Sequence, residues 1–171
     1  ALTTQLLGLA NSSFFGFRHQ VKTISGAVVA MGLVSLRNLI LCFAVKEVLS
    51  RKEITGFDID SFWEDSIRRG VAARQIGYLV NGPAEQAFTA GMLQDIGLLA
   101  LFSMEPEKAD RWPLLRSNLP VKRLEMEEAL FHETHDSVGA LLAKKWHLPE
   151  SYILAINNHH SFSDNKGTGT S

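Results

Sequence analysis

The sequence predicts an all-α protein, a compact multi-helix bundle, and three observations carry that prediction. Apolar residues recur at spacings of three and four along most of the chain and almost never alternate with period two. The stretches so marked are punctuated by helix stops such as Gly32 and "NGP" at 81–83. Apolar residues make up 46% and charged residues 20% of 171, which suits one globular domain with a sizeable core.

Residues 2–10 form a short helix ended by "NSSFFGF", whose Phe14, Phe15 and Phe17 are expected to anchor a loop to the core. A second helix covers 23–31, and Gly32 separates it from a third over 34–50, "VSLRNLILCFAVKEVLS". That third helix is apolar around most of its circumference, so it is expected to be central. The outline helix–Gly–helix also resembles a DNA-reading motif, but a recognition helix with only Arg37 and Lys46 among apolar residues packs better than it reads a groove. The fourth helix starts near Ser61, which has capping-box spacing to Glu64, and stops at "NGP"; Trp63, Ile67 and Val71 give it a packing stripe. The fifth runs from 84 to about 102. Weaker helices are expected over 108–117 and 121–131, the latter a solvated surface, "VKRLEMEEAL". An amphipathic helix over 136–147 presents Val138, Leu141, Leu142 and Trp146, and a last one starts at "LPE" and ends in His159-His160. Residues 163–171 read as a polar tail or linker.

Composition excludes several functions. A formal net charge of −1 gives no global field toward nucleic acid or anionic lipid. The single cysteine, Cys42, lies in an apolar run and is expected to be a buried thiol; with no intrachain disulfide and no leader pattern, a cytoplasmic location is expected. Arg37, Lys46 and Asp95 interrupt the apolar stretches, so no membrane span is expected. The opening at Ala1, without Met or cap, is expected to follow an absent N-terminal portion.

The fifth helix holds the candidate site. In "GMLQDIGLLALF", Phe88, Met92, Asp95 and Leu99 share one stripe, so Asp95 points where a core residue belongs. A buried carboxylate needs a cation, a metal or several donors. His135 lies in the first turn of its helix, His160 continues the stripe of Ile153 and Ile156, and His159 continues that of Tyr152 and Ala155. One carboxylate and three imidazoles form a metal-ligand set or an acid/base set, or they stitch helices together by hydrogen bonds. His19, His132 and His147 have no convergent partner in the sequence and receive no role.

The ordered segments "LLGLANSSFFG", "ISGAVVAMGLVSLRNLIL", "FWEDSIRRGVAA", "AFTAGMLQDIGLLAL" and "HETHDSVGALLAKKWHLPESYILAINNHH" resemble the HDOD domain over residues 1–162. The family is an all-helical bacterial relative of the HD and HD-GYP phosphohydrolases. The resemblance implies that the opening helices of the domain lie before Ala1 or are absent. It also implies a regulatory or scaffolding role in signal transduction beside two-component or cyclic-di-GMP proteins, mostly without catalysis. Active relatives carry His where this chain has Asp65 and His-Asp where it has Gln94-Asp95; the positions of His135, His159 and His160 keep their histidines. The acidic residue after the His pair in HD-GYP enzymes is Ser161 here, and their Gly-Tyr-Pro loop is absent.

Glutamine is a neutral, hard oxygen donor and a poor replacement for imidazole. Asp65 is expected to pair with Arg68 and Arg69 on its own helix rather than bind metal, with Gln94 bonding Asp65 or a histidine across the remnant cleft. A full binuclear site is therefore not expected, and no cofactor is required. The exception left open is a single divalent metal ion on Asp95, His135 and one of His159 and His160. The expectation is a non-catalytic signalling module acting through protein–protein contact, with no nucleic-acid or membrane partner. The alternatives are a metal-dependent phosphohydrolase or cyclic-dinucleotide phosphodiesterase with an altered ligand set, and a nucleotide-binding sensor without turnover.

Overall fold

The protein is described by a computed structural model that covers residues 2–11, 20–49 and 54–161. The loop with Phe14, Phe15 and Phe17 and the tail 163–171 lie outside the described residues. All regular structure among the described residues is helical: α1 (Leu2–Ala10), α2 (Ile24–Met31), α3 (Leu33–Leu49), α4 (Ile59–Leu79), α5 (Ala84–Leu93), α6 (Ile96–Met104), α7 (Trp112–Ser117), α8 (Pro120–Phe131), α9 (His135–Lys145) and α10 (Glu150–Asn158), with a 3-10 segment Pro106–Arg111 before α7.

Helix ends obey local chemistry. Thr23 caps α2 by accepting the Gly26 N–H at 3.0 Å. The cap of α4 is Asp58, which accepts the Ser61 N–H at 2.9 Å, so the helix starts earlier than the Ser61–Glu64 spacing predicts. The reason is tertiary: Phe57 is buried against Phe62, Phe102 and Trp112, which fixes the chain's entry one turn upstream. At "NGP", Asn81 adopts φ 52° and the Gly82 N–H returns to the Gly77 carbonyl at 2.8 Å, a Schellman stop. His147 does the same for α9, with φ 55° and the Leu148 N–H on the Ala143 carbonyl at 2.9 Å.

Two close helix contacts, both made by glycine, position the site. Helices α4 and α5 run antiparallel with Gly70 against the Phe88 carbonyl and Gly77 against Ala84; a Cβ on either glycine would lie under 3.0 Å from backbone. Helices α6 and α9 meet at Gly97 and Gly139. The predicted face of α9 is corrected by that contact only in part, since Val138 and Trp146 do pack against the core. Its buried residues are His135, Gly139, Ala140 and Ala143, small enough for close approach, whereas Leu141 is exposed.

The apolar stripe of the fifth predicted helix is buried, including Phe88, Met92, Asp95 and Leu99. The single helix expected there is instead two. At Asp95 the backbone sits at φ −99°, ψ 13°, and its carbonyl accepts the Leu98 N–H in a tighter turn at 3.0 Å. Helix α3 is less central than predicted: Leu36, Leu39, Cys42 and Val45 are buried, while Leu33, Val34 and Val48 are exposed, because α1, α2, α5 and α6 pack on one side of it. By length and composition the stretch Ala84–Met104 could cross a membrane, contrary to the sequence expectation; 72% of its most apolar window is, however, buried inside the domain.

Candidate functional site

The break between α5 and α6 places Asp95 at the N-terminal end of α6, where the Gly97–Gly139 contact brings in the first turn of α9. His135 therefore arrives beside Asp95, with His135 Nε2 3.3 Å from Asp95 Oδ1. The end of α10 adds His159, whose Nε2 lies 3.2 Å from the same oxygen and 3.1 Å from His135 Nε2. His160 Nε2 is 3.0 Å from His135 Nε2. The structure thus converges Asp95, His135, His159 and His160, whose ligand atoms all lie within 4.8 Å of one another.

Partners behind the rings set their orientation. His135 Nδ1 is 2.6 Å from Glu127 Oε2, and that oxygen also accepts the His135 backbone N–H at 2.9 Å. A carboxylate only accepts, so the ring carries its proton on Nδ1 and turns Nε2 toward the cluster. His159 Nδ1 lies 2.7 Å from the Ile156 carbonyl, which fixes the same orientation. Burial pushes the Asp95 carboxyl up, but the His135 and His159 imidazoles and the Arg69 guanidinium outweigh it and hold the group well below the usual carboxylate range. Burial lowers the His135 pKa, yet Asp95 and Glu127 raise it above the ordinary value on balance. His160 is pushed down to about 4, first by burial and then by the neighbouring His159, His135 and Arg123 charges.

Two arginines enter the cluster. Arg69 Nη2 pairs with Asp95 Oδ2 at 3.2 Å and donates to Ser66 Oγ at 2.9 Å. Arg123 Nη2 lies 3.4 Å from His135 Nε2, 3.2 Å from His160 Nε2 and 3.7 Å from Asp95 Oδ1. Sequence reasoning places neither of them here: it puts Arg69 on Asp65, and Arg123 and Glu127 on a solvated face. Glu127 is instead fully buried. The spacing of Arg123, Glu127 and Phe131 at intervals of four, ending on a buried aromatic, is the signal that α8 turns this stripe inward.

The other two expected residues do not join the ligand atoms. Asp65 is held by Arg68, Nη1 to Oδ1 at 3.1 Å, and by Arg116, on the rim of the cleft. Gln94 is half-buried and makes no side-chain hydrogen bond among the described residues, so its expected bond to Asp65 or a histidine is not formed. The amide is neutral and the helix break turns its neighbour, Asp95, toward the cations instead.

The donor set fits one divalent ion. Asp95 Oδ1 is buried and has no well-aligned hydrogen bond, although two ring nitrogens lie at 3.2 and 3.3 Å. Four of the six ligand-atom separations, at 3.0–3.3 Å, match the ~3.3 Å edge of a tetrahedron with metal bonds of about 2.0 Å, and the whole group lies within 4.8 Å. Among the described residues this is the one such group, and nothing in it provides the ligands of a second ion. Asp95, His135, His159 and His160 would hold the ion, which when bound supplies Lewis-acid polarisation. Glu127 would orient His135 through Nδ1, as carboxylates behind ligating histidines do.

Known proteins agree with this architecture. A protein from Shewanella amazonensis, provisionally named a phosphohydrolase, has a solved structure that superposes with TM-score 0.76 at 28% identity, over 94% of this chain and 56% of that one. An HDOD domain protein from Geobacter sulfurreducens gives TM-score 0.73 at 25% identity, over 95% and 55%. The MmoQ response regulator of Methylococcus capsulatus gives 0.54 at 28%, over 98% and 65%. An uncharacterized protein of Treponema pallidum is 28% identical over 163 residues, 94% of this chain but 31% of its own length. The chain thus spans about a third of that relative and just over half of the first two solved chains. The HDOD domain profile matches residues 1–162, nearly all of the sequence, and the chain belongs to the HDOD domain family.

Proposed function

We propose that this chain is a non-catalytic regulatory module that acts through protein–protein contact and retains a one-ion remnant of a phosphohydrolase site. One observation supports it above others: among the described residues the ligand set ends at four atoms, and the guanidinium groups of Arg69 and Arg123 stand against it. A two-ion phosphohydrolase uses both ions to polarise phosphate and generate the attacking water. Here the positions that would serve a second ion carry a neutral amide, Gln94, and a carboxylate already bound by Arg68 and Arg116, Asp65. The likeness to a response regulator accords with partners among two-component or cyclic-di-GMP signalling proteins. A net charge of −1 gives nucleic acid no general attraction, and a single buried thiol, Cys42, suits a cytoplasmic setting.

The test is hydrolysis of bis(p-nitrophenyl) phosphate by purified protein with added Mn or Fe. The expected rate equals that of Asp95→Ala. Turnover that disappears in His135→Ala would replace this reading with the metal-dependent hydrolase that the name of the Shewanella neighbour suggests.

A further inference from the structure

We infer that the Arg123 guanidinium is a built-in competitor for the divalent ion: it stands against the ligand atoms the ion would use, so ion binding requires Arg123 to withdraw. This deepens, and rests on, the reading of the cluster as a one-ion remnant. Arginine is always charged and has no acceptor, so it faces a ring nitrogen favourably only where that nitrogen offers its lone pair. Those are the lone pairs a metal takes. A single nitrogen, Arg123 Nη2, lies within 3.2–3.7 Å of His160 Nε2, His135 Nε2 and Asp95 Oδ1, three of the four ligand atoms.

Charge balance points the same way. The buried carboxylates Asp95 and Glu127 are already matched by Arg69 and Arg123. A dication added beside an unmoved Arg123 would leave excess positive charge where water screens poorly. Arg123 is also held only loosely by carboxylates. Its Nε, like that of Arg69, is buried without a hydrogen-bond partner, both of its carboxylate contacts, with Asp95 and Glu127, are 3.7 Å long, and the side chain is 14% exposed near the start of α8. Arg69 is held more closely: it meets Asp95 through the other oxygen at 3.2 Å, is anchored on Ser66 at 2.9 Å, and contacts no histidine among the described residues. It is a counter-ion, not a competitor.

The experiment is titration of the full chain with Co2+, read by visible absorption, for wild type, Arg123→Met and Arg69→Met. Arg123→Met is expected to bind Co2+ roughly ten- to a hundredfold more tightly than wild type, and Arg69→Met to change by less than about threefold. Binding by Arg123→Met is expected to vanish when Asp95→Ala is added. Equal or weaker binding in Arg123→Met, equal tightening in Arg69→Met, or no binding by any of the three overturns the inference. Should Arg123→Met fail to fold, the Arg123 Nε–H signal of wild type is monitored by NMR. A shift at Zn2+ saturation supports withdrawal, and an unmoved signal or absence of Zn2+ binding overturns it. Phosphodiester turnover by wild type would bear on the regulatory reading alone, because Co2+ affinity is measured without turnover.

Discussion

Gly97 and the His135 carbonyl are in such close contact that an ideal Cβ on Gly97 would lie 1.9 Å from that oxygen. The Gly139 nitrogen would be 2.7 Å from the same Cβ, so the added methyl meets backbone rather than a side chain that could turn aside. This contact sets the distance between α6 and α9, and with it the distance between Asp95 and His135.

Gly97→Ala is accordingly expected to lower stability by about 3 kcal/mol, through overpacking that forces the two helices apart. The control is Gly8→Ala, where nothing lies within 4 Å of the added carbon and helix propensity favours alanine by up to about 1 kcal/mol. Urea unfolding of both variants checks the pair; a Gly97→Ala midpoint equal to wild type would refute the close-packing account.

Asp95 is 3% exposed and is the counter-charge for Arg69 and Arg123. Removing one partner leaves the others buried without compensation, so Asp95→Ala is expected to cost about 3 kcal/mol. Asp65→Ala, on the rim, is expected to cost well under about 1 kcal/mol, since its pairs are partly solvated. Chemical denaturation of the two variants side by side decides it, and similar losses would contradict the difference in burial.

Glu127 has two jobs on one residue: Oε2 accepts the first N–H of α9 and the Nδ1–H of His135. Glu127→Gln keeps an acceptor oxygen but not the charge. In the Arg123→Met background it is expected to weaken Co2+ binding by roughly ten- to a hundredfold with the fold intact. Glu127→Ala leaves the N–H and the ring without an acceptor and is expected to destabilise by about 2 kcal/mol as well. Unaltered Co2+ affinity in Glu127→Gln would show that the carboxylate does not tune the histidine.

Cys42 is 1% exposed, and burial pushes its thiol up to about 12. The reactive thiolate is therefore negligible at neutral pH, and it gains population only as pH climbs toward that value. Reaction with a disulfide reagent is expected to be slow in native protein and to become complete in denaturant. Rapid, stoichiometric labelling of folded protein would contradict the burial.

The sequence by itself determined the helical class, most of the helix order and the inward aim of Asp95. These are local or periodic properties: Thr23 caps the helix that begins beside it, "NGP" stops the helix that reaches it, and Phe88, Met92, Asp95 and Leu99 share a stripe whatever they pack against. The placement of His135, His159 and His160 at helix ends made them candidate companions of Asp95, and the resemblance to the HDOD domain pointed to the same residues. Tertiary structure decided the rest. No periodicity places Arg69 on Asp95 rather than Asp65 or breaks the predicted helix at Gln94–Asp95. Each depends on which neighbour arrives across a helix contact, and the approach of α6 to α9 is set by two glycines 42 residues apart, Gly97 and Gly139. A charged residue's partner is chosen by distance in space, and a one-dimensional pattern carries only distance along the chain.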